Sequence, residues 1–253
     1  MIRIGIAGID GRMGREIVAA AADVDDLVMI GGLDKPNSAR LLYSPKPIRP
    51  VDFFDLLDVM IDFSVPGAVT EHVRASAAID LPYVCGVTGL TPDQLGALYD
   101  ASSEIPVFYA RNMSVGIAAV LALLPELAQR LDGYDAEIVE LHHRRKIDAP
   151  SGTALALAEA IAAGRNSNLT QPQVHGRDGH APRSIGEIGI HAVRGGANAG
   201  EHTVLFAGDG EEIRIEHRAL SRRTFADGAI RAARFIVQQP PGFYQMRDLL
   251  GPV

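Results

Sequence analysis

Short apolar runs alternate with amphipathic helical patterns through roughly the first hundred residues of the chain. The apolar runs predict strands over residues 2–7, 27–33, 59–63, 82–86 and 107–110. Helical patterns over residues 12–22 and 67–79 lie between them, and Thr91-Pro92-Asp93-Gln94 has the sequence of a capped helix start. Because parallel strands need crossovers of this kind, the alternation predicts an α/β fold with a doubly wound parallel sheet.

Two parts of the chain depart from this alternation. The proline-rich connection over residues 35–50 is predicted to lack regular structure. After Ser114 the pattern predicts a smaller α+β domain with a mixed open sheet. Its predicted helices cover residues 114–131 and 151–163, and its predicted strands cover residues 134–142, 187–193, 202–206 and 211–217. We expect the hairpin turn at Gly208-Asp209-Gly210 to use positive φ angles, and a closing helix to cover residues 224–238.

Composition excludes several classes of function. The 253 residues carry a net charge of −7, which argues against nucleic acid or an anionic membrane as a partner. Cys85 is the single cysteine, so no intramolecular disulfide can form and a reducing compartment is expected. The N-terminus lacks the pattern of a signal peptide, and the apolar stretch 115–127 is too short to span a bilayer. We therefore expect a cytoplasmic protein.

A glycine-punctuated turn after the first strand predicts a nucleotide site. Its glycines are Gly8, Gly11 and Gly14, and Asp34 ends the second strand twenty positions after Gly14. Glycines at a strand-to-helix turn leave room for a pyrophosphate at a helix N-terminus, and the acidic residue can bind a ribose hydroxyl. This context favours a Rossmann-type dinucleotide site, although the glycine spacing alone also fits an ordinary turn. The residues expected to contact the cofactor here are Gly8, Ile9, Asp10, Gly11, Arg12, Met13, Gly14, Asp34 and Lys35.

The charges around Asp34 bear on which cofactor is used. Asp34 favours NADH because its carboxylate repels a 2′-phosphate, whereas Lys35 and Arg12 could pair with that phosphate. We expect both NADH and NADPH to be used, with NADH favoured. Two further loops follow predicted strands and are expected to flank the nicotinamide, although spacing alone fits ordinary turns equally well. Their residues are Gly86, Val87 and Thr88, and Ala110, Arg111, Asn112 and Met113.

The run from Glu140 to Ala154 concentrates the chemistry of the second domain. Two adjacent imidazoles, His142 and His143, and three cations precede a Pro-Ser-Gly-Thr sequence that can open a helix. Cations facing helix N–H groups suit a small substrate with more than one carboxylate, and a histidine can donate a proton near neutral pH. The alternative is a solvated strand end followed by a charged turn.

The same run resembles the signature of the 4-hydroxy-tetrahydrodipicolinate reductase family, formerly called dihydrodipicolinate reductases. The resemblance extends over nearly the whole chain, through Gly11-Arg-Met-Gly, Ile61-Asp-Phe-Ser, Gly86-Val-Thr-Gly, Asn112-Met-Ser-Val-Gly, Gly200-Glu-His-Thr, Arg223-Thr-Phe-Ala and Tyr244-Gln-Met-Arg-Asp. It implies an enzyme of lysine and diaminopimelate biosynthesis that reduces a cyclic dicarboxylate with NADH or NADPH and releases water.

The resemblance also implies roles for particular residues. His142 would donate a proton, His143 would hold a substrate carboxylate, and Lys146 would bind substrate and assist the acid chemistry. The other carboxylate would bind where the helix begins, at Ser151, Gly152 and Thr153. Homotetramers assembled through the sheet of the second domain are usual in the family. The implied domains are a dinucleotide-binding part, residues 1–113 with 223–253, and a substrate-binding and oligomerisation part, residues 114–222.

Some positions depart from the family pattern. Val87 stands in place of a threonine, Met113 in place of a phenylalanine, and Arg111 where small residues or proline are common. These departures affect the expected cofactor contacts more than the reaction. No metal site is expected, because the other histidines lack ligand spacing, and Cys85 is expected to pack. Two other functions fit the residues: an amino-acid or homoserine-type dehydrogenase, and a regulator that binds NAD(H) without turnover.

Overall fold

The structure is a computed structural model that describes residues 1–35, 38–42, 47–165 and 173–251. Its strands are β1 (Ile2–Ala7), β2 (Leu27–Lys35), β3 (Ser38–Leu41), β4 (Pro47–Ile48), β5 (Val59–Asp62), β6 (Tyr83–Cys85), β7 (Pro106–Tyr109), β8 (Asp135–His142), β9 (Gln173–His175), β10 (Ile188–Arg194), β11 (Glu201–Ala207), β12 (Glu212–Arg218) and β13 (Gly242–Tyr244). Its helices are α1 (Arg12–Ala21), α2 (Pro50–Phe54), α3 (Pro66–Ala77), α4 (Pro92–Ala101), α5 (Val115–Arg130), α6 (Gly152–Gly164), α7 (Arg223–Ile236) and α8 (Met246–Leu250).

The first of two structural units comprises Met1–Val115 and residues 222–251. Its sheet has the strand order β13-β7-β6-β5-β1-β2-β3-β4, and the strands from β13 to β2 are parallel. The chain leaves β1 toward β2 and later returns to the other side of β1 with β5, so the order reverses there. The predicted doubly wound parallel sheet is confirmed. Ligands bind at such a reversal, outside the carboxyl ends of the strands.

The connection after β2 is more regular than predicted. Residues 38–41 and 47–48 form strands, and residues 50–54 form a short helix, so the expectation of irregular structure was wrong there. Strand β3 pairs antiparallel with β2, and Gly31 permits the approach because a Cβ there would lie 2.9 Å from Leu41 Cα. The two prolines of this connection that the structure describes lie where they cost little: Pro47 starts an edge strand and Pro50 starts a helix.

The second unit comprises Gly116–Ser221. Its sheet has the order β12-β11-β8-β10-β9, with parallel pairing of β8, β10 and β9 and antiparallel pairing of β8, β11 and β12, which confirms the predicted mixed sheet. Side chains from α5 and α6 pack on one face of this sheet and form the core. Gly164 allows the two helices to meet, because a Cβ there would lie 2.8 Å from the backbone of Pro125.

Several local predictions can be compared with the structure. Thr91 caps α4 as expected, in a reciprocal pair with Gln94. The predicted hairpin joins β11 and β12, but neither Gly208 nor Gly210 has a positive φ. The connection spans four residues and is closed by a hydrogen bond from Gly208 N to Glu211 O (2.9 Å), and a loop of this length needs no left-handed residue. The short elements β9, β13 and α8 were not predicted.

The part of the chain that the structure describes contains no helix with the length and apolar character needed to cross a bilayer.

The close approach of α7 to Met113 makes a stability prediction. A Cβ on Gly228 would overlap the carbonyl oxygen of Met113, whereas a Cβ on Gly96 in α4 would meet nothing within 4 Å. We expect Gly228→Ala to destabilise the protein by about 1–3 kcal/mol, because the backbone must shift. Gly96→Ala is the matched control and should be neutral or stabilising by up to about 1 kcal/mol. Urea unfolding of both variants measures the difference, and equal stabilities would contradict the packing described here.

Candidate active site

The glycine turn between β1 and α1 has the geometry expected of a pyrophosphate cradle. Gly8 has φ +84°, and a Cβ there would lie 2.7 Å from the carbonyl oxygen of Phe63. A Cβ on Gly14 would lie 2.6 Å from Ile9 Cα, so α1 packs against the turn only because this residue is glycine. Gly11 is the N-cap, and no side chain caps the helix. The first-turn amides of α1 are therefore suited to an anion that reaches the turn.

Backbone hydrogen bonds align the loops that follow the parallel strands. Each loop begins with an amide that donates to the neighbouring strand: Gly8 N to Leu33 O (2.7 Å), Phe63 N to Ala7 O (3.0 Å), Gly86 N to Asp62 O (2.9 Å) and Ala110 N to Cys85 O (3.1 Å). The three segments predicted to contact the cofactor therefore lie along one edge of the sheet.

The predicted cofactor residues differ in what they can offer a ligand. The side chains of Ile9, Val87, Ala110 and Met113 are buried, so these residues can reach a ligand only through the backbone. Thus the threonine hydroxyl and phenylalanine ring that Val87 and Met113 replace would have occupied interior positions. Other predicted side chains are exposed, namely Asp10, Arg12, Asp34, Thr88 and Arg111.

A cation that the sequence did not predict lies near the acidic end of β2. The amide of Asp10 donates to Asp34 Oδ1 (3.3 Å), and the guanidinium of Arg40 on β3 forms an ion pair with the carboxylate of Asp10. Arg40 was missed from the sequence because β3 was not predicted. The side chain of Lys35 lies outside the described residues.

A cavity of about 290 Å³ lies where the strand order reverses, and a buried carboxylate holds two of its lining residues. The lining residues include Gly8, Asp34, Ser64 and His72. The fully buried Asp62 carboxylate accepts hydrogen bonds from Ser64 N (2.8 Å) and Tyr83 OH (2.5 Å) and lies 2.7 Å from His72 Nδ1. Burial and the Asp62 charge raise the pKa of Tyr83 well above its usual value. Asp62 thus fixes the loop after β5 and the ring of His72.

In the second unit, the buried face of β8 changes from apolar to polar toward its carboxyl end. Ala136, Ile138, Glu140 and His142 all point to this face, and the first two belong to the core beneath α5 and α6. Register places His202 of β11 opposite Glu140, and Arg194 of β10 beside His142. The sheet therefore gathers a carboxylate, a guanidinium and two imidazoles at one end of the core.

Glu140 is fully buried and its hydrogen bonds come from three directions. Arg194 donates to both oxygens (Nη1 to Oε2, 2.7 Å; Nη2 to Oε1, 2.8 Å), and Ser151 N donates to Oε1 (2.9 Å). His142 Nδ1 lies 2.5 Å from Oε2. Burial by itself would raise the pKa of Glu140, but the hydrogen bonds from His142, Arg194 and Ser151 outweigh it and lower the pKa to about 2. Glu140 is therefore an anion near neutral pH.

His142 and His202 lie against each other, with ring centroids 5.1 Å apart and the planes at 76°. His202 Nε2 is 3.1 Å from Ser151 Oγ, the oxygen that caps α6 by accepting from Ala154 N. Burial first, and the neighbouring His142 second, lower the pKa of His202 to about 3. The His202 imidazole is therefore uncharged near neutral pH.

The remaining predicted substrate residues surround the start of α6. Gly152 and Thr153 are its first two residues, where backbone amides commonly bind carboxylates. His143 is half-buried and its amide donates to Asn198 O (2.9 Å). Lys146 Nζ lies 2.8 Å from both carboxylate oxygens of Asp148. Burial would raise the pKa of Asp148, but the hydrogen bond and charge of Lys146 hold it below the usual value.

Glu140, Arg194 and His202 were missed from the sequence, and one signal could have found the first of them. Glu140 occupies the same alternating phase as Ala136 and Ile138, so a charge stands where the pattern requires a core residue. Cys85 is buried, and burial raises the pKa of its thiol, as expected of a packing residue. Among the described residues, no group of three or more histidine, cysteine, aspartate or glutamate side chains could hold a metal.

Comparison with known proteins covers nearly the whole chain. Residues 2–113 match the family model described as "Dihydrodipicolinate reductase, N-terminus", and residues 116–250 match "Dihydrodipicolinate reductase, C-terminus". The 4-hydroxy-tetrahydrodipicolinate reductase of Rubrobacter xylanophilus is 45% identical over 266 residues, covering 99% of this chain and 98% of that protein. The reductase of the same name from Granulibacter bethesdensis is 45% identical over 259 residues, covering 99% and 97%.

A solved structure agrees with these sequence matches. The dipicolinate-bound dihydrodipicolinate reductase of Paenisporosarcina sp. TG-14 superposes with a TM-score of 0.74 at 25% identity and covers 97% of each chain. An engineered D-amino acid dehydrogenase bound to NADP+ is similar in fold alone, with a TM-score of 0.57 at 15% identity.

The neutral, buried His202 makes a prediction about acid stability. The unfolded chain protonates this imidazole near its ordinary pKa of about 6.5, whereas the folded protein does so only at about 3. The unfolded state therefore binds more protons in this window, and acidification should cost up to about 1.4 kcal/mol per pH unit from this group. His202→Gln should reduce the slope of a plot of unfolding free energy against pH between about pH 6.5 and pH 5. The exposed His180→Gln is the control, and an unchanged slope in the His202 variant would contradict the assignment.

Proposed function

The chain belongs to the dihydrodipicolinate reductase family, and we propose that its reaction is that of a 4-hydroxy-tetrahydrodipicolinate reductase in lysine and diaminopimelate biosynthesis. In this reaction 4-hydroxy-tetrahydrodipicolinate, NAD(P)H and one proton give tetrahydrodipicolinate, NAD(P)+ and water. The observation that supports the proposal is the spatial arrangement of residues 140–154. The acid–base group around His142 meets the start of α6, where Ser151 contacts both Glu140 and His202.

The dinucleotide belongs to the first unit, and the residues there fit it. The glycine turn leaves the space that a pyrophosphate needs, because a Cβ on Gly8 or Gly14 would collide with the backbone. Asp34 at the end of β2 is exposed and placed to accept a hydrogen bond from a ribose hydroxyl. The loops that begin at Gly86 and Ala110 would flank the nicotinamide with backbone groups. When bound, the reduced nicotinamide supplies a hydride.

The dicarboxylate would bind in the second unit. Lys146 would pair with one carboxylate of the substrate, which would replace the Asp148 carboxylate that now contacts Nζ. His143 would hold the same group. The other carboxylate would meet Ser151 and the first amides of α6, at Gly152 and Thr153, where the helix dipole favours negative charge.

His142 would supply the proton. Loss of the hydroxyl group as water leaves a conjugated ring, and hydride addition to that ring leaves an electron pair that an acid must quench. The His142 imidazolium suits this task near neutral pH, and Lys146 supports it by keeping the substrate carboxylate neutralised. The buried carboxylate of Glu140 lies 2.5 Å from Nδ1 of this ring.

The organisation of the whole protein follows from the same proposal. Residues 1–113 with 223–253 would form the dinucleotide-binding domain, and residues 114–222 would bind substrate and join four copies into a homotetramer. The face of the second sheet opposite α5 and α6 carries partly exposed apolar side chains such as Val139 and Leu205 and suits such an assembly. A cytoplasmic location and the absence of nucleic-acid or membrane partners complete the proposal.

A coupled assay tests the reaction directly. The product of the upstream synthase is supplied, and loss of NADH or NADPH absorbance is followed. We expect turnover by the parent protein, and a fall in kcat of about 10²–10⁴-fold in His142→Gln with a smaller change in KM. His180→Gln should behave as the parent does.

Three results would contradict the proposal. Turnover of amino acids without the synthase product would indicate a dehydrogenase of that class. NADH binding that dipicolinate does not enhance, without turnover, would indicate a nucleotide-binding regulator. A His142→Gln variant as active as the parent would remove His142 from the chemistry.

Cofactor preference is a separate prediction. We expect turnover with both cofactors and a higher kcat/KM for NADH, because the exposed carboxylate of Asp34 at the end of β2 would repel a 2′-phosphate. Asp34→Asn should move the ratio toward NADPH, and Asp100→Asn in the exposed part of α4 should not. A parent protein that prefers NADPH by tenfold, about 1.4 kcal/mol, would contradict this expectation.

A further inference from the structure

We propose that Glu140 and Arg194 are positioning residues that hold the His142 ring with its hydrogen on Nδ1, so that Nε2 alone can deliver the catalytic proton. This inference rests on the proposed function, because it assigns the atom through which His142 acts. Neither Glu140 nor Arg194 contacts the substrate in this proposal. Both would act through the imidazole.

The first step of the argument is the charge on Glu140. Its carboxylate has no exposed surface and accepts two hydrogen bonds from Arg194 and one from the Ser151 amide. A carboxylate held in this way remains ionised and acts only as an acceptor. The ring nitrogen that lies 2.5 Å from it, His142 Nδ1, must therefore carry a hydrogen whether the ring is neutral or charged.

The second step concerns the other nitrogen. Among the described residues, Nε2 of His142 makes no hydrogen bond. Gly200 lies beside it with φ +151°, and a Cβ there would come within 3.0 Å of Nε2. A side chain at this position would therefore crowd the nitrogen, and glycine keeps that side of the ring open. Nδ1 is fixed by protein and Nε2 is left for substrate.

The third step is what holds the pair in place. Arg194 also donates to the carbonyl oxygens of Val193 (2.8 Å) and Asp148 (2.6 Å), so one guanidinium ties β10 and the loop carrying Lys146 to Glu140. Among the described residues, the titratable groups around the packed His142–His202 pair are Glu140, Arg194, His217 and Lys146. His202 is neutral and Arg194 and Lys146 are cations, so the charge that stabilises the imidazolium comes from Glu140.

Steady-state kinetics of Glu140→Gln tests the role. The variant keeps the side-chain size but removes the charge that fixes the Nδ1 hydrogen and stabilises the imidazolium. We expect kcat to fall by about 10²-fold, with KM changed less than about threefold. The pKa of the group that must be protonated, measured from kcat against pH, should fall by about one unit or more. Arg194→Met should lower kcat in the same direction, and Arg194→Lys should recover part of it.

Glu137→Gln is the matched control. Glu137 lies three residues earlier on the same strand, on the opposite face of the sheet, and its carboxylate pairs with Arg177 and His191, away from His142. Loss of the Glu137 charge also disturbs a network of ion pairs, but it should leave the dependence of kcat on pH unchanged. A Glu140→Gln variant with the parent's kcat and pH profile would overturn the inference, as would an equal shift in both variants.

A measurement on the parent protein does not depend on any variant folding. With nitrogen-15-labelled histidine, the two ring nitrogens of His142 are distinguished by their chemical shifts, and His142→Gln assigns them by loss of signal. We expect the neutral ring to carry its hydrogen on Nδ1. A neutral ring protonated on Nε2 would overturn the inference even if the enzyme turns over. Absence of turnover by the parent would instead overturn the proposed function, so the two failures are distinguishable.

Discussion

The buried carboxylate of Glu140 is the interaction on which the second unit depends. An ionised group without solvent costs several kcal/mol unless partners replace the water it has lost. Arg194, Ser151 and His142 supply those partners from β10, from the start of α6 and from the end of β8 itself. The charge therefore joins three elements at the point where the apolar core ends. Removing any one partner would leave the buried carboxylate short of a hydrogen bond, and removing Glu140 would take this bond from all three partners.

The same requirement explains why the substrate residues cluster. Arg194 holds the carbonyl oxygen of Asp148 as well as Glu140, which places the segment with Lys146 beside the first turn of α6. Ser151 links the helix start to Glu140 through its amide and to His202 through its hydroxyl. A cation, two imidazoles and a helix N-terminus are thereby brought together by one buried anion. These groups suit a small molecule with two carboxylates and a position that must be protonated.

In the first unit the corresponding constraint is parallel strand pairing. Because every parallel strand ends at the same edge, the loops after β1, β5, β6 and β7 must lie side by side, and backbone hydrogen bonds from each loop to its neighbour fix their order. The direction of the strands was therefore enough to predict that the glycine turn and the loops at residues 86 and 110 lie at the same edge of the sheet. Arg40 and the Asp62–His72–Tyr83 group needed more, since Arg40 reaches Asp10 from β3, which pairs with β2, and Tyr83 comes from a different strand.

The sequence by itself determined the strand-and-helix alternation, the glycine turn and the Thr91 cap. It also indicated the candidate substrate residues between His142 and Thr153. Each of these features depends on residues near one another in the chain. It also carried enough resemblance to indicate the family. Only the tertiary structure decided which partners His142 would have. Glu140 and His142 are two residues apart, but Arg194 and His202 reach them through sheet register across more than fifty positions, and such pairing depends on how the whole sheet assembles.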